Sequence, residues 1–333
     1  MPGTVGLLRG TVWQLAAFSD MKLATYKDGS RDGQLLVVSR DLRLAHYATD
    51  IAHTLQQALD DWNFIAPQLQ DLYLALNQGR ARHPFAFEPV RCMAPLPRAF
   101  QWLIADADPS GRPGGLPALR QGSGDAFAGP VDELVVHDES MGVDSTPGLA
   151  VIVGDLPARS SPEQALESIR LLLLSNDWCL RALDSGPGSG VQARPGTAFG
   201  PVAVTLDELG GAWRRGRLDA SVELKVNDRD PGRCEAGTVT WHFGQLLAHA
   251  CRTRALGAGS VLGTGLRHAG GGEHAWPDPC AGNLGSTAQS RVAGPGQEAT
   301  PLLCWGDRVR IEARGRDGHS LFGPIEQILS AGD

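Results

Sequence analysis

A carboxylate and two guanidinium groups lie beside apolar segments in the middle of the chain. Asp177 and Arg181 follow the apolar run that begins at Leu171, and Arg194 follows a glycine-rich loop. A partly buried carboxylate can act as a general base, with a pKa set by burial and by neighbouring charges. Arginine cannot act as a base, because its pKa exceeds about 12, but its planar guanidinium binds carboxylates and enolates well. These residue types suit an anionic or enolisable ligand.

A second set of reactive residue types lies close together farther along the chain: His268, Glu273, His274 and Cys280. Their spacing matches no common zinc arrangement, and the glycines around them predict a long loop. We therefore expect these residues to hold no metal ion. The chain also lacks the Gly-x-Ser-x-Gly sequence of a nucleophile elbow and the glycine-rich sequence of a P-loop, which argues against two common classes of enzyme.

Composition narrows the classes of partner. The 333 residues carry a formal net charge of −7, which argues against nucleic acid or an acidic membrane surface as a partner. No apolar run reaches the roughly 20 residues that a membrane span needs. The six cysteines are scattered and no convincing signal peptide is present, so we expect reduced thiols and a cytoplasmic location. The 42 glycines and 22 prolines predict many turns and a β-rich fold.

Hydrophobic periodicity and turn residues predict an α+β chain. Strands are expected at 22–26, 34–39, 149–153, 171–178, 218–226, 238–242 and 260–262. Helices are expected at 52–64, 67–77 and 244–252. A further helix is expected to begin after Ser161, because Ser161, Pro162 and Gln164 form the sequence pattern of a capping box.

Five stretches of the sequence resemble the fumarylacetoacetate hydrolase family. They are Cys-Met-Ala-Pro-Leu-Pro-Arg from Cys92, Gly-Val-Asp-Ser-Thr-Pro-Gly-Leu-Ala-Val-Ile from Gly142, Asn-Asp-Trp-Cys-Leu-Arg from Asn176, Gln-Ala-Arg-Pro-Gly-Thr-Ala-Phe-Gly-Pro from Gln192 and Leu-Gly-Ala-Gly-Ser-Val-Leu-Gly-Thr-Gly from Leu256. The resemblance covers roughly residues 22–330. It implies a mixed β-roll catalytic domain at 89–333, a small N-terminal α/β domain at 21–88 and an extension at 1–20. It also implies a C-terminal hairpin at 306–325 and a homodimer.

The resemblance further implies a site for a divalent cation in which most ligands are missing. Members of the family hold the cation with two glutamates on one strand and an aspartate on another. Thr146 and Gly148 stand at the positions of the glutamates, and Asp177 stands at the aspartate. A hard cation such as Mg²⁺ prefers several oxygen ligands, usually including carboxylates. We therefore expect no metal and no other cofactor, with Thr146 and Gly148 contacting the substrate instead.

The resemblance also implies which other residues contact the substrate. Arg194 stands at the family's active-site lysine, and Arg181 stands at a retained arginine. Gly263 and Thr264 stand at a turn that contacts the substrate, and we expect free backbone N–H groups there. Asp184 is a further candidate for contact with the substrate.

The segment from Trp102 to Gln121 departs from the family. Family members carry here a His-Glu pair that activates water, whereas this segment contains no histidine and no glutamate. Its glycines and prolines predict a short, flexible linker. Asp106 or Asp108 is a candidate for catalysis, although solvated loop carboxylates are far commoner.

Three functions remain open. The first is a metal-independent enzyme of a specialised biosynthetic pathway that acts on a β-dicarbonyl or polyketide-like substrate by cyclisation, dehydration, isomerisation or C–C cleavage. The second is a pseudoenzyme that binds or scaffolds, in which Asp177 and Arg181 form only a structural salt bridge. The third is a metal-dependent hydrolase with rearranged ligands. We favour the first, with Asp177, Arg181 and Arg194 as catalytic residues and the charged end of the ligand facing the two arginines.

Overall fold

The structure, a computed structural model, describes residues 20–105, 116–184, 191–228, 232–266 and 302–332. The strands are β1 (Lys22–Tyr26), β2 (Gln34–Val38), β3 (Leu44–Tyr47), β4 (Phe85–Ala86), β5 (Trp102–Ala105), β6 (Leu119–Gly122), β7 (Leu134–Val136), β8 (Val143–Val153), β9 (Ile169–Leu180), β10 (Thr197–Phe199), β11 (Ala203–Val204), β12 (Trp213–Arg214), β13 (Arg217–Leu218), β14 (Ser221–Val226), β15 (Gly232–Glu235), β16 (Val261–Gly265), β17 (Arg308–Arg314) and β18 (Ile325–Ala331). The α-helices are α1 (Leu55–Asp60), α2 (Trp62–Asn77), α3 (Pro162–Glu167) and α4 (Phe243–Ala250).

One large mixed sheet of 11 strands organises the molecule. Its order is β4-β3-β2-β1-β11-β9-β8-β16-β5-β6, with β10 also paired to β9. The central strands β8 and β9 pair antiparallel along most of their length, from Val143 opposite Leu180 to Val153 opposite Ile169. This pairing fixes which residues of the two strands lie opposite each other, and that register builds the candidate site.

Both faces of the large sheet are covered, so its central strands are apolar over most of their length. All residues of β8 are buried. Ala150 and Ile152 join the core on the face covered by α1 and α2. Leu149 and Val151 join the core on the other face, with α3, α4 and the second sheet. The alternation follows from the two-residue period of a strand.

The remaining strands form two smaller sheets. Five strands pair in the order β15-β14-β17-β18-β7, and β12 pairs with β13. The predicted C-terminal hairpin is confirmed, because β17 and β18 pair antiparallel. The chain is thus α+β and β-rich, as its composition and periodicity predict. Within the described ranges, no helix is long and apolar enough to cross a membrane.

Local sequence explains where α3 begins. The Gln164 backbone N–H donates to the Ser161 hydroxyl, and the Ser161 backbone N–H donates to the Gln164 side chain. These bonds satisfy donors that the start of a helix leaves open, so the predicted capping box is confirmed. Pro162 occupies the first turn, where its missing N–H costs nothing.

The two predicted N-terminal helices have different boundaries in the structure. We expected helices at 52–64 and 67–77, but the break falls at Asp61, between α1 and α2. The backbone of Asp61, with φ −132° and ψ 45°, leaves the helical region. Pro67 therefore lies inside α2, where it removes one backbone hydrogen bond rather than starting a helix.

Two predicted strands also differ. The strand expected at 218–226 is divided between β13 and β14. The strand expected at 238–242 does not form: Ala236–Thr238 is a 3₁₀ helix, and His242 is the N-cap of α4. The His242 ring accepts a hydrogen bond from the Gln245 backbone N–H, which commits this residue to the helix start.

The segment predicted as a linker begins and ends in a strand. These two strands, β5 and β6, pair antiparallel with each other. Some sequence predictions lie outside the described residues: Asp106, Asp108, the loop that carries His268, Glu273, His274 and Cys280, and all of the 1–20 extension except Asp20.

Candidate functional site

Three polar side chains share one face of the large sheet. Asp177 of β9 lies opposite Thr146 of β8 and opposite Thr197 of β10. Residues that lie opposite each other on neighbouring strands project to the same face. All three residues are buried, none more than 7% exposed. Because buried polar groups need hydrogen-bond partners, their contacts define the chemistry of this face.

Both oxygens of the Asp177 carboxylate are contacted. The Thr197 hydroxyl donates to Oδ1 at 2.8 Å, and Nη1 of Arg194 lies 3.4 Å from Oδ2. Trp102 donates its indole N–H to the Thr197 hydroxyl at 3.2 Å. Burial raises the pKa of Asp177, while the charge of Arg194 and the hydrogen bond from Thr197 act to lower it. A carboxyl with a raised pKa is a stronger base than an exposed aspartate.

Asp177 is the first of four charged residues that contact one another in turn and alternate in sign: Asp177, Arg194, Asp184 and Arg120. Nη2 of Arg194 donates to Oδ2 of Asp184 at 3.3 Å, so Arg194 bridges Asp177 and Asp184. Nη1 of Arg120 lies 3.6 Å from Oδ1 of Asp184. Arg120 was not predicted as a site residue, because the glycines and prolines before it predict a linker rather than strand β6. The structure therefore brings together three predicted site residues and one that was missed.

Arg181 is placed differently from the prediction. Its Nε donates to Oδ2 of Asp144 at 3.0 Å, and its Nη2 contacts the same oxygen. Asp144 is fully buried on β8. The structure thus shows two pairs, Asp144 with Arg181 and Asp177 with Arg194, in place of the Asp177–Arg181 salt bridge that belongs to the pseudoenzyme hypothesis. The reason is that β9 ends at Leu180, and Arg181 begins a 3₁₀ turn beside the start of β8.

Gly263 and Thr264 do not form a turn with free N–H groups. Both lie within β16, which pairs with β8 on one side and with β5 on the other, so their backbone groups belong to a sheet ladder. Thr264 lies opposite Leu149, whose side chain is in the core on the opposite face from Asp177. The structure therefore does not bring the Thr264 side chain to the carboxylate.

The two residues at the family's glutamate positions have different surroundings. Oγ1 of Thr146 is buried, and no residue of the described ranges gives it a hydrogen bond. Gly148 has no room for a side chain, since an added Cβ would lie 2.8 Å from both Ser175 Oγ and the Thr264 carbonyl oxygen. Thr146 thus offers an unsatisfied polar atom, and Gly148 offers only backbone.

Two family models match this sequence. Fumarylacetoacetase N-terminal domain 2 matches residues 21–98, and Fumarylacetoacetate (FAA) hydrolase C-terminal matches residues 104–328, which is more than half of the chain. The chain belongs to the fumarylacetoacetate hydrolase family. A comparison with curated protein sequences finds no match.

Solved structures of family members have the same fold. A fumarylacetoacetate hydrolase from Exiguobacterium antarcticum is 20% identical with a TM-score of 0.66, covering 94% of this chain and 100% of its own. A probable 2-hydroxyhepta-2,4-diene-1,7-dioate isomerase from Mycobacterium abscessus is 17% identical with a TM-score of 0.64, covering 94% and 99%. A maleylpyruvate hydrolase from Sphingobium sp. SYK-6, in complex with manganese(II) ion and pyruvate, is 17% identical with a TM-score of 0.64, covering 94% and 100%.

The residues at the family's cation position do not fit a divalent metal ion. Asp177 is the single carboxylate among the three positions that the resemblance assigns to the cation, and it is already paired with the Arg194 guanidinium. Glutamate at position 148 would collide with backbone of β16. Among the residues that the structure describes, no group of three His, Cys, Asp or Glu could hold a metal ion. A hard cation needs several oxygen ligands, so this donor set is too small.

A cavity of about 650 Å³ lies near the site but is not lined by Asp177. Its wall includes Phe127, whose ring packs edge-on against Trp102 with centroids 6.0 Å apart. Trp102 therefore contacts both the cavity wall and, through its indole N–H, the Thr197 hydroxyl that binds Asp177.

Proposed function

We propose that this protein is a metal-independent enzyme of the fumarylacetoacetate hydrolase family that moves a proton on a small, enolisable dicarbonyl anion. Asp177 is the base, Arg194 stabilises the enolate, and Thr146 binds an oxygen of the substrate. Isomerisation is the reaction that needs the fewest groups beyond these. The wider range of reactions and the assignment to a biosynthetic pathway stay predictions.

One observation carries this proposal: a buried carboxylate faces a buried hydroxyl that has no partner in the described residues. An unsatisfied buried hydroxyl costs about 1–3 kcal/mol, so a ligand oxygen that binds Thr146 removes this cost. The same ligand then lies beside Asp177, because Thr146 and Asp177 are cross-strand neighbours. The arrangement therefore favours a ligand with an oxygen acceptor close to an acidic C–H group.

The proton transfer can be written with these residues alone. Asp177 takes the proton from the carbon between two carbonyl groups, and the electron pair of that C–H bond moves to a carbonyl oxygen. The resulting enolate is stabilised by the Arg194 guanidinium and by the Thr146 hydroxyl. In a substrate that also carries a C=C bond conjugated with this enolate, Asp177 then returns the proton to the far carbon of that bond, which shifts the double bond, gives an isomer and restores the Asp177 carboxylate.

The substrate class has support from relatives of the same fold. Two of them are named for maleylpyruvate and for 2-hydroxyhepta-2,4-diene-1,7-dioate. Both names denote small carboxylates that carry an oxo or enol group. An anionic substrate of this kind suits the face of the large sheet that carries Asp177, because the positively charged Arg194 and Arg120 lie there.

A second candidate function is binding without turnover. It is favoured by one observation, that both oxygens of Asp177 are already contacted, by Thr197 and by Arg194. In that case the carboxylate would serve only to hold these side chains in place. The third candidate, a metal-dependent hydrolase, is disfavoured because the described residues offer too few metal ligands.

Proton exchange in D₂O separates the first two functions. With acetylpyruvate and oxaloacetate as probes, the protein should speed the exchange of carbon-bound protons, followed by NMR. Asp177→Asn should lower this rate by about 10²–10⁴-fold. Since only the ionised carboxylate accepts a proton, the rate should rise with pH through the raised pKa of Asp177. Asp71→Asn, an exposed change on α2, is the matched control and should leave the rate unaltered.

The outcomes are distinct. Exchange by Asp177→Asn at the parental rate would remove Asp177 as the base. Binding of the probes by calorimetry, with no exchange by the parental protein, would instead support binding without turnover.

A further inference from the structure

The indole of Trp102 sits in a slot that two glycines create. A Cβ added to Gly122 would collide with Cδ1 of the indole, and a Cβ added to Gly263 would collide with Cη2 at its other end. Phe127 and Phe199 pack edge-on against the same ring, with centroids 6.0 and 5.7 Å away. Trp102 is 2% exposed, so the ring is held from several sides. Its N–H can point in only one direction.

The direction of the hydrogen bonds follows from what each group can do. An indole N–H can only donate, so the Thr197 hydroxyl must accept from Trp102. The hydroxyl carries one proton, and its other contact is Oδ1 of Asp177 at 2.8 Å. That proton therefore points to the carboxylate. With Oδ1 bound in this way, the second oxygen, Oδ2, is the one that faces Arg194.

We propose that Trp102 and Thr197 are positioning residues, which together fix the orientation of the Asp177 carboxylate. Trp102 orients the Thr197 hydroxyl, and Thr197 holds Oδ1, so that proton transfer takes place at Oδ2. Gly122 and Gly263 contribute by leaving room for the indole. Gly263 thus acts through Trp102 rather than by touching the substrate. The hydrogen bonds stand by themselves, whereas their role in catalysis rests on the proposed function of Asp177.

Indole N–H signals in proton–nitrogen NMR spectra test the hydrogen bonds without any substrate. The chain has eight tryptophans, and Trp102→Phe identifies the signal of Trp102 by its loss. Thr197→Val keeps the shape of the side chain and removes the hydroxyl. We expect it to move the Trp102 signal to lower proton frequency, since the acceptor is gone. Thr197→Ser keeps the hydroxyl and should leave the signal close to its parental position.

Kinetics test the positioning role. Thr197→Val should lower kcat for the proton exchange about 10–100-fold, because a displaced base reacts poorly. It should leave KM nearly unaltered, since Arg194 and Thr146 still bind the substrate. Thr197→Ser should restore kcat, and Trp102→Phe should lower kcat with a smaller effect.

Each result decides the question. If the Trp102 signal stays in place in Thr197→Val, the hydrogen bond is absent and the inference is overturned. If the signal moves but kcat is parental, the positioning role is overturned. If the signal moves and the parental protein exchanges no dicarbonyl proton, the hydrogen bonds are supported and the proposed function is the part that fails.

Discussion

Asp144 and Arg181 form a buried ion pair at one end of the two central strands. The Asp144 side chain is fully buried and that of Arg181 is 18% exposed. Asp144 also accepts from the Ser145 backbone N–H at 2.8 Å. A buried charge is tolerated when it is paired and hydrogen-bonded, as here. The pair ties the start of β8 to the end of β9, next to the polar face that carries Asp177.

Asp144→Asn should therefore destabilise the fold. It removes the negative charge that pairs with the Arg181 guanidinium, and we expect a loss of about 3 kcal/mol in the free energy of unfolding, the lower end for a broken buried pair. Urea denaturation followed by circular dichroism measures this loss.

The matched control for this change is Glu326→Gln, which breaks the exposed pair of Glu326 with Arg310, 2.6 Å apart. An exposed pair contributes little, so a loss under about 1 kcal/mol is expected. Equal losses for the two changes would show that burial does not strengthen the Asp144 pair.

Individual residues of the site could be predicted from the sequence where a local motif contains or flanks them. Asp177 and Arg194 lie in stretches that resemble the family, Asp184 lies between those stretches, and the structure brings the three together. The hydrogen bonds from Trp102 to Thr197 and from Thr197 to Asp177 were missed, and Trp102 and Thr197 are 95 residues apart in sequence. Their contact depends on the register of several strands, and no local pattern encodes that register.

At the level of the element, strand β8 begins earlier in the chain than predicted. We expected the strand to begin at Leu149, because the continuous apolar run starts there. The structure begins it at Val143 and includes Pro147. The Pro147 carbonyl accepts from the Leu266 backbone N–H, just beyond the end of β16 at Gly265. Its missing N–H therefore lies where the neighbouring strand ends, and the ladder loses little.

The close approach of β8 to β16 leads to a prediction for Gly148. An added Cβ would lie 2.8 Å from the Thr264 carbonyl oxygen, which is backbone and cannot move aside easily. Gly148→Ala should lower the free energy of unfolding by about 1–3 kcal/mol, as expected for overpacking. Gly257→Ala is the control, because a Cβ there meets nothing within 4 Å.

Thermal denaturation of both glycine variants measures the difference. Gly257→Ala should melt at the parental temperature or slightly above it. If Gly148→Ala is as stable as Gly257→Ala, the two strands can separate enough for a side chain, and glutamate at this position becomes feasible.

At the level of the whole molecule, the large sheet runs through both segments that match family models. β1 pairs with β11, Lys22 lying opposite Val204, which joins the N-terminal strands to the central ones. The fold class was predictable because apolar runs, turn residues and family motifs are spread along the whole chain. The domain boundary at residue 88 and the homodimer stay predictions.

The donor set of the site leads to a prediction about divalent cations. A site with a Kd near 10 µM would stabilise the folded protein by about 2.7 kcal/mol in 1 mM Mg²⁺. With Asp177 paired to Arg194 and no carboxylate at positions 146 and 148, we expect no such stabilisation. The melting temperature should be equal in 1 mM MgCl₂, in 1 mM MnCl₂ and in NaCl of the same ionic strength.

Protein purified without chelator should carry well under one Mg²⁺, Mn²⁺ or Ca²⁺ per chain by inductively coupled plasma mass spectrometry. A rise of several degrees with Mg²⁺ or Mn²⁺, or stoichiometric metal, would instead favour the metal-dependent hydrolase.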